Sequence, residues 1–368
     1  MKRDLFVFAG QSNMMGASVF SPQKEICISN SYEYKHKPRR LGKKSGDFVI
    51  AGYPVGEFAY KDLIHAYAPD ALNKNRESYL RDYQENTFFC PSMSNLMCEA
   101  DKTVHLFTEF SEATAPYGVT LAPFLAEEWE KIGNVCAYAH IAKGDVSIDY
   151  YFTDKMIEEY SHRIKKYNKE NGTNYKSDIP TSHRMEGASE YFFNKCKDFF
   201  FDSEIHFAGD DISNKCFFWL QGESDVQNAE IEYKIKMEIL WESIKPLGFT
   251  HFFCIRMDYF GSHGIHRVMK AQEVFVSEHS DTYMLTRAAS YFTYPGQNED
   301  EWFISPPDEE YRNCRDSFYG YNNQHINEKG FSVIASHASK NLYRVLIKNQ
   351  KPLLETENIK ALIGEENV

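Results

Sequence analysis

The sequence contains no apolar run that approaches the roughly twenty residues needed to cross a membrane. The apolar run nearest to the N-terminus, Leu5 to Ala9, is also too short for the core of a signal peptide. These absences predict a protein that does not act in a membrane. The expected location is the cytoplasm, or outside the cell if a leader was removed from the chain.

The chain also lacks an excess of positive charge. It carries 41 Lys and Arg residues against 53 Asp and Glu residues, which gives a formal net charge of −12. A protein that binds nucleic acid through its general charge needs a positive face, so nucleic acid is not an expected partner. The strongly basic segment 34–44 allows two interpretations, which are attraction of an anionic substrate and a solvated loop.

Paired cysteines are absent as well. None of the eight cysteines belongs to a C-x-x-C pair. Zinc sites are commonly built from such pairs, so the cysteine pattern does not favour a metal site. Several of the cysteines lie inside apolar, strand-like runs, and we therefore expect reduced cysteines with packing roles.

No repeat, low-complexity segment or linker rich in Pro, Gly and Ser divides the chain. Apolar strand-like runs alternate with amphipathic helix-like segments, as a parallel sheet covered by helices requires. The expected strands are 5–9, 135–141, 216–220, 251–256 and 283–286, and the expected helices include 120–132, 229–244, 268–278 and 327–345. This pattern predicts an α/β protein, a three-layer α/β/α sandwich with a central parallel sheet.

The chain of 368 residues is longer than such a sandwich requires. Two long stretches, about 17–98 and 150–212, separate the predicted elements, and we expect them to be large loop insertions. Binding groups often lie on loops held by a rigid scaffold, so these insertions are expected to build the walls of a substrate cleft. The prediction is a single domain over 1–345 with these insertions, followed by a C-terminal tail over 346–368.

The first predicted strand ends abruptly at Gly-Gln-Ser-Asn-Met, residues 10–14. A glycine lets the backbone bend tightly, and a serine just past a strand end can project its hydroxyl group into a cleft. On this pattern alone two interpretations stay open. Ser12 is either a nucleophile or the N-cap of the next helix.

Two distant segments complete the pattern. An apolar strand ends at Trp-Leu-Gln-Gly-Glu-Ser-Asp, residues 219–225, and His325 stands shortly before the last predicted helix. In this order, the three motifs resemble those of the GDSL-like esterases of the SGNH hydrolase superfamily. The resemblance is to the sialate O-acetylesterase-like branch, which includes acetyl xylan esterases. It implies a flavodoxin-like sandwich and a serine carboxylesterase, acting on an acetylated carbohydrate without a metal or other cofactor.

The resemblance also implies roles for single residues. Ser12 is expected to be the nucleophile and His325 the base, because an imidazole suits proton transfer near neutral pH. Relatives carry an aspartate three residues before this histidine, but this chain has Asn322, which cannot supply a negative charge. Glu223 is the best substitute; its alternative role is to accept hydrogen bonds from the amides of its own turn. Two poorer candidates are Asp225 and Asp316.

Donors for the oxyanion of the tetrahedral intermediate are expected from three places. They are the backbone of Ser12, the backbone of Gly144 and the side-chain amide of Gln221. Residues expected to contact the substrate are Gln11, Asn13 and Asn322. The substrate is expected to be sialic acid or another acetylated sugar. Two alternatives stay open: a carbohydrate-binding relative that has lost turnover, motivated by Asn322, and a sugar O-acetyltransferase.

Overall fold

The computed structural model describes residues 1–15, 26–35, 47–53, 120–144, 146–180, 183, 188–257, 264–292, 318–319 and 325–354. The strands are β1 (Lys2–Gly10), β2 (Ile26–Lys35), β3 (Asp47–Tyr53), β4 (Val135–His140), β5 (Asp211–Leu220), β6 (His251–Ile255) and β7 (Thr282–Thr286). The helices are α1 (Ser12–Met15), α2 (Leu121–Lys131), α3 (Asp154–Asn171), α4 (Ala188–His206), α5 (Glu230–Ile244), α6 (Ile265–Glu278), α7 (Ala288–Tyr291) and α8 (Glu328–Leu346). Short 3₁₀ helices include Ile148–Tyr151 and Glu223–Asp225.

These strands form one sheet in the order β3-β2-β4-β1-β5-β6-β7. Neighbouring strands pair in parallel, except that β3 runs antiparallel to β2 at the edge. Helices α2 and α8 pack together on one side of the sheet, and α3, α4, α5 and α6 pack on the other. The predicted three-layer α/β/α sandwich with a central parallel sheet is confirmed.

Aromatic side chains fill both faces of the central strands. On one face, the ring of Phe218 stacks on Phe8 with centroids 4.7 Å apart and on Phe253 with centroids 5.3 Å apart. On the other face, Phe217 stacks on Trp219 at 5.9 Å. A parallel sheet covered by helices on both sides needs apolar residues at successive positions, and this pattern is why the strands could be found in the sequence.

The strands and helices named in the sequence analysis are all present, with bounds that differ by a few residues. Strands β2 and β3 were not expected; they lie within the stretch 17–98, and β2 pairs with β4 in the sheet. The stretch 150–212 was expected to be a loop insertion, but it contains the long helices α3 and α4 and the start of β5. This second expectation is corrected, because those helices belong to one of the layers.

The position of β1 decides where a ligand can bind. It lies in the middle of the sheet, with β4 and β2 on one side and β5, β6 and β7 on the other. The direction in which the chain adds strands therefore reverses at β1. At such a point the loops beyond the carboxyl ends diverge and leave a crevice. The segments that follow β1, β4 and β5 meet at this crevice.

Buried thiols lie inside the layers. Cys136, Cys196, Cys216 and Cys254 are free and buried, and burial raises the pKa of each thiol. A protonated, buried thiol packs as a small apolar group and is a poor nucleophile. Within the described ranges, no helix is both long enough and apolar enough to cross a membrane.

The close approach of β1 and β5 can be tested at Gly10. This residue has φ +147°, and a Cβ atom placed on it would lie 2.0 Å from the carbonyl oxygen of Leu220. We expect Gly10→Ala to lower the free energy of unfolding by about 3 kcal/mol or more, because one strand must move. Urea unfolding of the purified variant measures this loss.

The matched control is Gly133→Ala. Gly133 also has a positive φ, +84°, but a Cβ atom there would meet nothing within 4 Å. Its substitution should cost only the backbone strain of about 1–2 kcal/mol. Equal losses in the two variants would show that the contact with Leu220 relaxes easily.

Candidate active site

Ser12 lies in the turn that follows β1, at the first position of α1. The backbone N–H of Gln11 donates to the Leu220 carbonyl at 3.0 Å, and the hydroxyl of Tyr151 donates to the Gly10 carbonyl at 2.6 Å. The turn is therefore fixed to β5 and to the segment after β4. Ser12 is half-buried, whereas the rest of α1 is buried.

His140 contacts the backbone of α1. The sequence analysis did not identify this residue. It is completely buried in β4, and its Nε2 lies 2.6 Å from the Met14 carbonyl oxygen. Because a carbonyl oxygen only accepts, Nε2 must carry the proton. A histidine within an apolar strand was the only signal of this role in the sequence.

Gly144 lies against Ser12. A Cβ atom placed on Gly144 would be 3.9 Å from the Ser12 Cβ and only 2.6 Å from the Met15 Cε, so a side chain there would collide. The Gly144 N–H lies 3.3 Å from the sulfur of Met15, which is a weak acceptor. The structure thus brings Gly144 to the serine turn, while its neighbour Asp145 lies outside the described residues.

Glu223 carries a buried carboxyl group in the turn after β5. Its Oε1 accepts a hydrogen bond of 2.9 Å from Asn13 Nδ2. Its Oε2 is buried and has no hydrogen-bond partner in the described part of the chain. Burial raises the pKa of Glu223, and the hydrogen bond from Asn13 opposes this shift. The free oxygen is available to an N–H group that enters the crevice.

His325 lies close to the same turn through its neighbour in the chain. The Ile326 N–H donates to Asn13 Oδ1 at 3.0 Å. Burial lowers the pKa of His325 to about 4, and no carboxylate contributes to that shift. The Ser12 hydroxyl makes no hydrogen bond within the described residues. The structure therefore joins the turns of Ser12 and Glu223 to the backbone beside His325, and neither Ser12 nor Glu223 hydrogen-bonds to the imidazole.

Two residues expected to contact the substrate are enclosed by protein. Asn13 is 1% exposed, with both polar atoms in the hydrogen bonds just described, and Gln11 is 5% exposed. Gln11 Oε1 accepts from the Ser224 N–H at 3.1 Å. These side chains join segments of the crevice instead of facing an open cleft, which corrects their expected role. Other residues of interest lie outside the described part: Asn322, Asp316 and residues 36–44 of the basic segment.

Gln221 also differs from its expected role. Its side chain is completely buried, and Nε2 lies 2.5 Å from Asp225 Oδ2 and 3.2 Å from the Val146 carbonyl oxygen. Its Oε1 accepts from the Tyr233 hydroxyl at 2.7 Å. Because the amide hydrogens already meet protein acceptors, Gln221 is not oriented to donate to an oxyanion. It joins the turn after β5 to the segment after β4.

A buried charge cluster of Asp149, Asp225 and Lys236 lies behind this turn, beside the half-buried amide of Asn228. Asp225 accepts from the Ile148 N–H at 2.9 Å and from Asn228 Nδ2 at 2.7 Å. Lys236 Nζ lies 2.9 Å from Asp149 Oδ1. Burial raises the pKa of Asp225 to about 6, and the charge of Lys236 opposes the shift. With its oxygens bonded in this way, Asp225 is a supporting group and not a partner for the imidazole.

Among the described residues, no group of three or more His, Cys, Asp and Glu side chains could hold a metal ion. No protein-family model matches the sequence, and no curated protein matches it significantly. The family suggested by the motifs therefore stays a prediction.

Several solved structures resemble the chain at low identity. A protein from Arabidopsis thaliana is 10% identical with a TM-score of 0.43, and the alignment covers 92% of this chain and 97% of that one. A carbohydrate acetylesterase from Xanthomonas citri is 9% identical with a TM-score of 0.40, over 94% of this chain but only 57% of that one. NanS is 11% identical with a TM-score of 0.45, over 93% and 98%. Similarities of this size do not identify the activity of this chain.

The buried charge cluster predicts a pH-dependent loss in Lys236→Met. Removing the cation leaves two buried carboxylates, and breaking a buried pair in this way costs about 3–5 kcal/mol. The pKa of Asp225, already raised to about 6, should rise further without Lys236. A raised carboxyl pKa in the folded state means that stability is lost as pH rises through it. Urea unfolding should therefore show a larger loss at about pH 8 than at about pH 5.

Lys270→Met is the control. Lys270 Nζ on α6 pairs at 3.2 Å with Glu230 at the start of the Lys236 helix, and the two side chains are 67% and 36% exposed. An exposed pair of this kind is worth about 0–1 kcal/mol, so this variant should change little at either pH. If Lys236→Met lost the same stability at pH 5 and at pH 8, the expected further rise in the pKa of Asp225 would be contradicted.

The low pKa of His325 can be measured directly. Because burial lowers it to about 4, the imidazole should be neutral and able to accept a proton at pH 7. NMR of the ring nitrogens, assigned by the signal missing in His325→Ala, should give a midpoint well below the usual value of about 6.5. A midpoint at or above that value would contradict the burial and indicate an ionised carboxylate against the ring.

Proposed function

We propose that this protein is a serine esterase that removes O-acetyl groups from a carbohydrate. One observation carries the proposal. The amide of Asn13, next to Ser12, bonds at once to the Glu223 carboxyl group and to the backbone N–H that follows His325. The turns that carry Ser12 and Glu223 and the backbone beside His325 are thereby joined at the strand-order reversal. The resemblance of their motifs to O-acetylesterases suggests the reaction and the substrate class.

In the proposed reaction, Ser12 Oγ attacks the acetyl carbonyl carbon while the neutral imidazole of His325 takes the hydroxyl proton. The sugar oxygen leaves with that proton, and the acetyl group stays on Ser12. The imidazole then takes a proton from water, which attacks the acetyl-Ser12 ester. The imidazole returns its proton to Ser12, and acetic acid leaves and ionises in water.

We propose that the Glu223 carboxylate stabilises the imidazolium form of His325. Its Oε2 is buried and lacks a hydrogen-bond partner within the described chain, so it can accept from a protonated ring. Catalytic hydrogen bonds are often long before substrate binds and tighten in the complex. We therefore assign the Ser12–His325 and His325–Glu223 contacts to the substrate-bound protein.

The oxyanion would be held by the backbone N–H groups of Ser12 and Gly144. The Gly144 N–H now faces the Met15 sulfur at 3.3 Å. A negatively charged oxygen is a far stronger acceptor than a thioether, so it would displace this weak bond. Each well-placed donor lowers the barrier by about 3–4 kcal/mol.

The test is hydrolysis of 4-nitrophenyl acetate, followed by acetate release from O-acetylated sialic acid and acetylated xylo-oligosaccharides. Ser12→Ala and His325→Ala should lower kcat by about 10⁴-fold or more, and Glu223→Gln by about 10²-fold or more. Ser277→Ala in α6 and His162→Ala in α3 are the controls, since both side chains are exposed and lie outside the crevice. The controls should retain wild-type rates.

Equal rates for wild type and Ser12→Ala would contradict the esterase. Sugar binding without turnover would then favour a carbohydrate-binding protein. Transfer of acetyl to an added sugar in preference to water, lost in Ser12→Ala, would favour an acetyltransferase instead.

A further inference from the structure

Asn13 is held from both ends inside the crevice. It is 1% exposed; its Nδ2 donates to Glu223 Oε1 at 2.9 Å, and its Oδ1 accepts from the Ile326 N–H at 3.0 Å. The partners lie 210 and 313 residues further along the chain. One short side chain therefore joins the serine turn, the turn after β5 and the segment that begins at His325.

The direction of this amide is fixed by its partners. A backbone N–H can only donate, so the Asn13 atom that faces Ile326 must be the oxygen. The atom that faces Glu223 must then be the NH₂ group, which donates. A donor at that place favours the ionised carboxylate over the neutral acid. The backbone of the histidine segment thus determines which group Asn13 presents to Glu223.

We propose that Asn13 is a positioning residue that holds Glu223 Oε1, so that Oε2 is the oxygen left to meet the imidazole of His325. This inference rests on the proposed esterase function. A glutamate side chain that is bonded at one oxygen cannot turn freely, and its second oxygen is held in one direction. The same amide fixes the backbone next to His325. The positions of the acid and the base relative to Ser12 are therefore held constant.

Few charged groups compete for control of Glu223. Its pKa responds to burial, to the amide of Asn13 and to the backbone N–H groups of Glu223 and Gly222. Asp225, in the same turn, directs its carboxylate to Gln221 and Ile148, and Lys143 after β4 is not among the groups that shift it. His325 is the titratable residue next to Ile326, the other partner of Asn13. A new charge at position 13 should therefore act first on Glu223.

Asn13→Asp tests this role. It keeps an acceptor for the Ile326 N–H but replaces the donor to Glu223 with a second carboxylate. Two carboxylates that share a site raise one pKa strongly, so the acid limb of kcat should move up by about one pH unit or more. We expect kcat at pH 7 to fall by about 10²-fold with KM within about threefold, because orientation and charge are lost and not substrate contacts.

A second readout does not depend on turnover. The carboxyl carbon of Glu223, assigned by the NMR signal missing in Glu223→Gln, should titrate at higher pH in Asn13→Asp than in wild type. Asn341→Asp is the matched control. Asn341 is 2% exposed and, like Asn13, both donates and accepts, but its bonds go to Leu285 and Leu353. This variant should change neither the acid limb nor the Glu223 titration.

The outcomes separate the two proposals. If Ser12→Ala is inactive and Asn13→Asp keeps wild-type kcat, acid limb and Glu223 titration, the role of Asn13 is overturned and the esterase stands. If Ser12→Ala is as active as wild type, the esterase fails and the positioning role falls with it.

If Asn13→Asp folds poorly, the test uses Asn13→Ser. The serine hydroxyl is too short to bridge both partners, and it adds no charge. It should lower kcat by about tenfold or more at unchanged KM and raise the Glu223 titration. An unchanged kcat and titration in that variant would also overturn the inference.

Discussion

The crevice depends on how closely β1 and β5 approach each other at their carboxyl ends. Gly10 pairs with Leu220 in the register of the two strands, and the next N–H, that of Gln11, donates to the Leu220 carbonyl. The serine turn and the Glu223 turn therefore begin from the same pair of residues. Because no side chain fits at Gly10, the distance between the two turns is set by backbone atoms, which move little.

The second constraint is that many polar groups behind Ser12 are buried. A buried donor or acceptor without a partner costs free energy, so these groups bond to one another. The amides of Gln11, Asn13 and Gln221 suit this purpose, since an amide offers a donor and an acceptor without a charge. Each joins segments that are distant in the sequence. The rigidity of the crevice thus follows from the need to satisfy its buried polar atoms.

The two carboxylates of the turn after β5 differ in their surroundings. Asp225 has hydrogen bonds to both oxygens and the Lys236 ammonium group nearby. Glu223 has one bonded oxygen, one free oxygen among the described residues and no cation that lowers its pKa. A carboxylate that is fully bonded and neutralised supports structure, whereas a desolvated carboxyl group with an unused oxygen can respond to a charge formed beside it.

Much of the sandwich could be predicted because its central strands carry apolar residues at successive positions. Strand β2 could not, since its sequence, with Ser31 and Glu33 among its buried residues, is polar and its place depends on pairing with β4 about a hundred residues later. The proposed roles of Ser12, Glu223 and His325 were suggested by their motifs. The role of Asn13 was not, because its partners are known only once the chain has folded. A weak indication existed for Lys236, because it is a charged residue on the apolar side of a helix.

Burial acts in opposite directions on the proposed acid and base. It raises the pKa of Glu223 and lowers that of His325, so burial disfavours the charged form of each group. When Ser12 attacks and the imidazole becomes positive, its charge would form beside the ionised carboxylate of Glu223 in a poorly solvated crevice. Opposite charges attract more strongly there than in water. The stabilisation would therefore grow as the transition state forms and be small in the resting protein, and only interactions of that kind accelerate a chemical step.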